Sequence, residues 1–141
     1  MYKPRCWSGA LWAAAALLWG AGCQPSVRPL TPVTGKVSYK GHPLQSGAIV
    51  FTPDGKRGET GRIAFGKIAT DGTFVLYTGE TAGAAPGFYR VTVLAHGGDI
   101  ASGGARFPQP LLPDKYRDPN QSELGCEVKA NRPNMFDFPL E

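Results

Sequence analysis

Few side chains in this sequence have the nucleophilicity or ligand chemistry that catalysis needs. There are three cysteines, Cys6, Cys23 and Cys126, and two histidines, His42 and His96. Both histidines sit in glycine-rich stretches without the set of further His, Asp or Glu partners that closes around a metal, so they read as solvated loop residues. Asp54, Glu59, Asp71 and Glu80 lie in turns and loops, and no Asp-x-Asp-x-Asp spacing concentrates oxygen ligands for calcium. No serine stands in a Gly-x-Ser-x-Gly elbow, and no glycine-rich run matches a phosphate-binding loop. Cys126 alternates with Leu124 and Val128 and has no adjacent histidine or cationic pocket, which reads as a small core residue and not a reactive thiol. The chain is therefore expected to have no catalytic residue, no metal and no cofactor, and not to be an enzyme.

Cys23 stands in a different setting. Lys3 and Arg5 precede an apolar run from Ala10 to Trp19, and the small residues Gly20-Ala21-Gly22 follow it immediately before Cys23. A basic start, a short apolar centre and a small-residue exit are the three parts of an export signal, and about ten apolar residues are too few for a membrane-spanning helix. Residues 1–22 contain two basic and no acidic side chains, so the formal charge of +4 becomes +2 once they are removed. So small a charge, without a Lys/Arg cluster, excludes nucleic acid as the expected partner.

Ala21-Gly22-Cys23 resembles the end of a bacterial lipobox, with Gly20 at the position where Leu is commonest. The resemblance implies cleavage before Cys23, a diacylglycerol thioether on its sulfur and an acyl chain on the new amine; several chains together anchor stably where one does not. Gln24 replaces the Asp that often marks inner-membrane retention in such lipoproteins, so the implied location is the cell envelope, at the outer membrane. With Cys6 leaving in the signal and Cys23 carrying lipid, Cys126 is the only thiol left and no intrachain disulfide can form.

The elements that would carry any site follow from periodicity. Residues 23–32 contain three prolines among polar residues and read as an extended tether. Beyond them alternation has period two: Val37 and Tyr39; Ile49 and Phe51; Phe74 and Leu76; Tyr89, Val91 and Val93; Leu124, Cys126 and Val128; Phe136, Phe138 and Leu140. Turn residues separate these stretches. Lys40-Gly41-His42-Pro43 divides the first two strands, and Asp71-Gly72 predicts a two-residue hairpin turn between Ile63–Thr70 and Thr73–Thr78. One domain over 33–141, an all-β antiparallel sandwich of about seven strands, fits this spacing and length.

Val33-Thr34-Gly35-Lys36-Val37, Gly41-His42-Pro43-Leu44, Ala69-Thr70-Asp71-Gly72-Thr73-Phe74 and Pro86-Gly87-Phe88-Tyr89-Arg90-Val91-Thr92-Val93 together resemble the carboxypeptidase regulatory-like, or transthyretin-like, β-sandwich family. Pro113-Asp114-Lys115-Tyr116 and Phe136-Asp137-Phe138 add a resemblance to small bacterial lipoproteins that carry this domain alone. The resemblance implies a fold and no activity, because each matching segment serves a turn or a core strand.

Two relatives of the fold offer alternatives. Transthyretin-related hydrolases use histidines, an arginine and a C-terminal Tyr-Arg-Gly-Ser, whereas this chain ends Phe138-Pro139-Leu140-Glu141 and its Tyr116-Arg117 is followed by Asp118. Collagen-adhesin domains join a first-strand Lys to an Asn near the last strand, and Lys36 with Asn131 or Asn134 occupies the corresponding places. The expected role is a non-catalytic module that binds an envelope protein or glycan, or a structural component of the envelope. The long connection from Ala95 to Asn120 is the candidate place for a partner site, weighed against a structural cap that the sequence favours. There Arg106, Phe107, Lys115, Tyr116 and Arg117 mix aromatic anchors with cations, but Pro108, Pro110 and Pro113 stiffen the segment, so that its apolar residues suit a cap over one end of the sandwich.

Overall fold

The computed structural model describes residues 28–97 and 109–141. The expected signal, Cys23, Arg106 and Phe107 lie outside the described residues. Among those described, the strands in chain order are β1 Val33–Tyr39, β2 His42–Pro43, β3 Gly47–Pro53, β4 Ala64–Ile68, β5 Thr73–Val75, β6 Tyr77–Thr78, β7 Thr81–Ala82, β8 Gly87–Leu94, β9 His96–Gly97, β10 Gln109–Pro110, β11 Gly125–Val128 and β12 Asn134–Leu140. Two single-turn 3-10 helices, Gly55–Arg57 and Asp114–Arg117, are the only helical turns among them. No helix among the described residues is long and apolar enough to cross a bilayer.

Seven strands form one continuous path, β11-β8-β3-β4-β5-β1-β12, with β2 added beside β1 and β6 with β7 beside β4. The path curls on itself. Four strand spacings of about 4.8 Å separate β3 from β12 in a flat sheet, roughly 19 Å, yet the rings of Phe51 on β3 and Phe138 on β12 lie 6.0 Å apart. Phe51 also meets Phe74, Tyr89 and Phe136 at 5.8 to 6.3 Å, so rings from three other strands converge on one side chain. Burying these inward faces supplies the main drive to fold, at about 25 cal/mol per Å² of apolar area removed from water.

The alternation read from the sequence gives the inner face. Val37, Ile49, Phe51, Phe74, Leu76, Tyr89, Val91, Val93, Val128, Phe138 and Leu140 are buried, and Tyr39, Leu124, Cys126 and Phe136 pack against them half-buried. The expected all-antiparallel arrangement needs one correction: β1 and β12 run parallel, from Val33 beside Asn134 to Tyr39 beside Leu140. The reason is that residues 129–133 carry the chain across the fold and do not close a hairpin, so β12 leaves β11 and completes the opposite edge.

The turns also redistribute. The two-residue turn is Lys40-Gly41, where both φ angles are positive, 49° and 80°, between the paired Tyr39 and His42. At Asp71-Gly72 the loop is one residue longer. Gly72 N–H donates to Ala69 O at 2.9 Å, Ala69 N–H donates to Thr73 O at 2.8 Å, and only Gly72 has positive φ, at 84°. Asp71 is the cause, since its carboxylate accepts from both the N–H and the hydroxyl of Thr73 and so holds an Asx turn.

Candidate functional site

A concavity built from charged side chains lies over the outer face of β8 and β11. It encloses about 500 Å³ and is lined by Asp54, Arg57, Phe88, Arg90, Asn120 and Glu123 among others. Asp54 is its hub. Its backbone N–H donates to Phe88 O at 2.9 Å, which ties the chain leaving β3 to the start of β8. Its carboxylate caps the 3-10 turn by accepting from Lys56 N–H at 3.1 Å, and also accepts from Arg90 Nε at 3.1 Å. Burial alone pushes the Asp54 carboxyl up, but the Arg90 hydrogen bond, the Lys56 N–H and the charges of Arg90 and Arg57 together hold it below the usual carboxylate value.

Arg90 is fixed from two sides, because its Nη1 also donates to Pro119 O at 2.8 Å. Arg57 is freer. Its guanidinium lies 4.4 Å from the Phe88 ring centroid and 3.6 Å from Asp54, and its side chain remains largely exposed. Glu127, beside Phe88 in the β8–β11 register, and Glu123 add negative charge to the lining. The groove thus presents a cation over an aromatic ring together with carboxylates, held by strands and by Asp54. Burial pushes the thiol of Cys126, on the same strand as Glu127, up to about 12.

Of the loop residues singled out in the sequence, the described ones, Lys115, Tyr116 and Arg117, do not line this groove. Tyr116 is buried, and its hydroxyl donates to Glu141 O at 3.2 Å and accepts from Glu141 N–H at 3.0 Å, pinning the chain end. With Leu112 it closes one end of the fold. Lys115 stands 4.8 Å from the Tyr116 ring, and Arg117 forms an exposed ion pair with Asp114 at 3.4 Å, a contact worth little. The groove takes its walls from residues just beyond, Pro119 to Leu124.

The other sequence candidates separate in space. Lys36 projects outward beside Asp137, whereas Asn134 is buried, with its side chain bonded to Lys129 and Arg132 of its own turn. Asn131 is an exposed turn residue with φ of 59°. An Lys–Asn link would have to cross the sheet. His42 is exposed at the start of β2, just past the turn after β1, and Asp71 is committed to Thr73. Among the described residues, no three His, Cys, Asp or Glu side chains converge as metal ligands do.

Asp54, Arg57, Arg90 and Glu123 were missed as a group. Asp54-Gly55 carries the signal of a turn, and Arg90 that of an outward residue in a core strand. Nothing in the sequence brings positions 36 residues apart into one ion pair. Comparison of the chain with protein-family models, with curated proteins and with solved structures gave no match.

Proposed function

We propose that the chain is exported, modified with lipid on Cys23 and held at the outer membrane of a bacterial cell envelope. There its transthyretin-like β-sandwich acts as a non-catalytic module that binds an envelope protein or glycan. The address rests on Lys3, Arg5, the apolar run and Ala21-Gly22-Cys23. The transthyretin-like assignment rests on the curled sheet and the turn and strand segments quoted above.

The observation that carries the binding role is the groove around Asp54. Charged side chains held ready by strands and hydrogen bonds cost little further ordering when a polar ligand arrives. Arg57 is the contact residue on this reading, being cationic, exposed and stacked on Phe88. A photo-reactive residue placed at the exposed Asn120 in living cells tests it. Capture of a protein or glycan at Asn120 that Arg57→Glu abolishes supports the groove. Equal capture from a probe at His42, on the other side of the molecule, refutes it.

A further inference from the structure

The outer face of the curled sheet carries a second feature that the groove does not use. Ile63, Phe65, Val75, Tyr77 and Met135 are large apolar residues exposed by 54, 52, 43, 41 and 84 %. They are contiguous: Phe65 pairs with Tyr77, and Thr34 lies between Val75 and Met135 in the register. A soluble domain seldom leaves so much adjoining apolar surface without a use. Farther along the same strands the outward positions turn polar, with Thr73, Lys36 and Asp137 in one row.

The chain enters the domain at the apolar end. Val33 opens β1, and the preceding residues are pinned beside β6 and β7. Thr31 exchanges backbone hydrogen bonds with Ala84 at 2.9 and 3.0 Å, and Arg28 Nη1 reaches Glu59 and Pro86 O, both at 3.3 Å. The described part of the expected tether therefore lies along the domain. Five residue steps remain between Cys23 and Arg28, a span of at most ~18 Å when fully extended. If Cys23 carries lipid, that end of the domain cannot leave the bilayer surface.

We infer that the face bearing Ile63, Phe65, Tyr77, Val75 and Met135 docks on the lipid surface itself, as a second contact beside the anchor. This rests on the lipoprotein reading of Cys23. Aromatic and aliphatic side chains suit the boundary between head groups and acyl chains, and Arg62, against the Gly79 turn, and Lys67, on β4, suit anionic head groups. Glu80 and Asp137 stand at the margins of the patch and leave its centre free of negative charge. Docking there fixes the orientation of the domain at the surface.

The chain from residue 23 onward contains no tryptophan, since Trp7, Trp12 and Trp19 all precede it. A single Trp therefore reports one site in the processed protein. Full-length Phe65→Trp, Tyr77→Trp and His42→Trp chains are expressed, purified from membranes, checked by intact mass and placed in phosphatidylcholine–phosphatidylglycerol vesicles with or without brominated acyl chains. Docking predicts that Trp at 65 and 77 loses emission in brominated vesicles and shifts to shorter wavelength, while Trp at 42 does neither. Equal emission at all three positions in both vesicles overturns the docking face alone. A shift that bromine does not quench, and that grows with protein density, gives the face to a second copy and overturns it too. A mass without lipid overturns the anchor and the reach argument together.

Discussion

Gly72 and Gly41 provide a paired test of the fold, because their backbones are alike and their surroundings are not. Both have positive φ, 84° and 80°. A Cβ at Gly41 meets nothing within 4 Å, whereas one at Gly72 comes within 2.6 Å of Val37 O and 3.2 Å of Pro43 Cβ. Gly41→Ala should therefore cost only the left-handed strain of an L-residue, about 1 kcal/mol. Gly72→Ala carries that strain and a clash with backbone, which adds about 1–3 kcal/mol. Moving the loop to relieve the clash gives up the hydrogen bond from Val37 N–H to Gly72 O at 2.8 Å, worth about 1 kcal/mol net. The loss of unfolded-chain freedom is the same for both replacements and cancels in the difference. Urea unfolding followed by circular dichroism measures it, provided the denaturant slopes agree. Gly72→Ala should be the less stable by about 1–3 kcal/mol. Equal stabilities would show that the β4–β5 loop does not pack against β1 as described.

Three more outcomes are expected. Cys126 should react with a thiol reagent far more slowly at neutral pH than in denaturant, since its thiol is pushed up to about 12; fast native labelling would contradict its inward face. Tyr116→Phe removes both hydrogen bonds to Glu141 and should cost about 1–2 kcal/mol in the same unfolding assay while leaving capture at Asn120 unchanged. Asp54 has a depressed pKa, so its contribution to stability is present above the unfolded value near 3.8 and is lost as pH falls through the lower folded value. Asp54→Asn should accordingly flatten the acid limb of the stability–pH curve, and an unaltered limb would remove Asp54 from its role as hub.

The inner face of the sheet was legible because period-two alternation is a local property, and Phe51, Val91 and Phe138 each lie where it puts them. The segment Ala64-Phe65-Gly66-Lys67-Ile68 shows the limit. Its small residues face in and its aromatic residue faces out, because the space inside Gly66 is already taken by Leu76 and the Val75 carbonyl. Alternation alone does not choose between such faces. The parallel β1–β12 pair escaped as well, since the direction in which two distant strands pair is set by the whole sheet and leaves no pattern in either strand. At the groove only Asp54-Gly55 left a local trace, while its partner Arg90 arrives by sheet pairing. The burial of Tyr116 follows the reading of its segment as a cap, while the partner of its hydroxyl, the backbone of Glu141, comes from just past a distant strand and left no local signal.

The intact mass of the protein extracted from cell membranes tests the central claim most directly. The account predicts a chain that begins at Cys23, lacks residues 1–22, and is heavier than its sequence by a diacylglyceryl group and an acyl chain. In a Cys23→Ala chain both additions and retention in the membrane fraction should disappear. A native protein that keeps residues 1–22, or that begins elsewhere with Cys23 absent or unmodified, would contradict it.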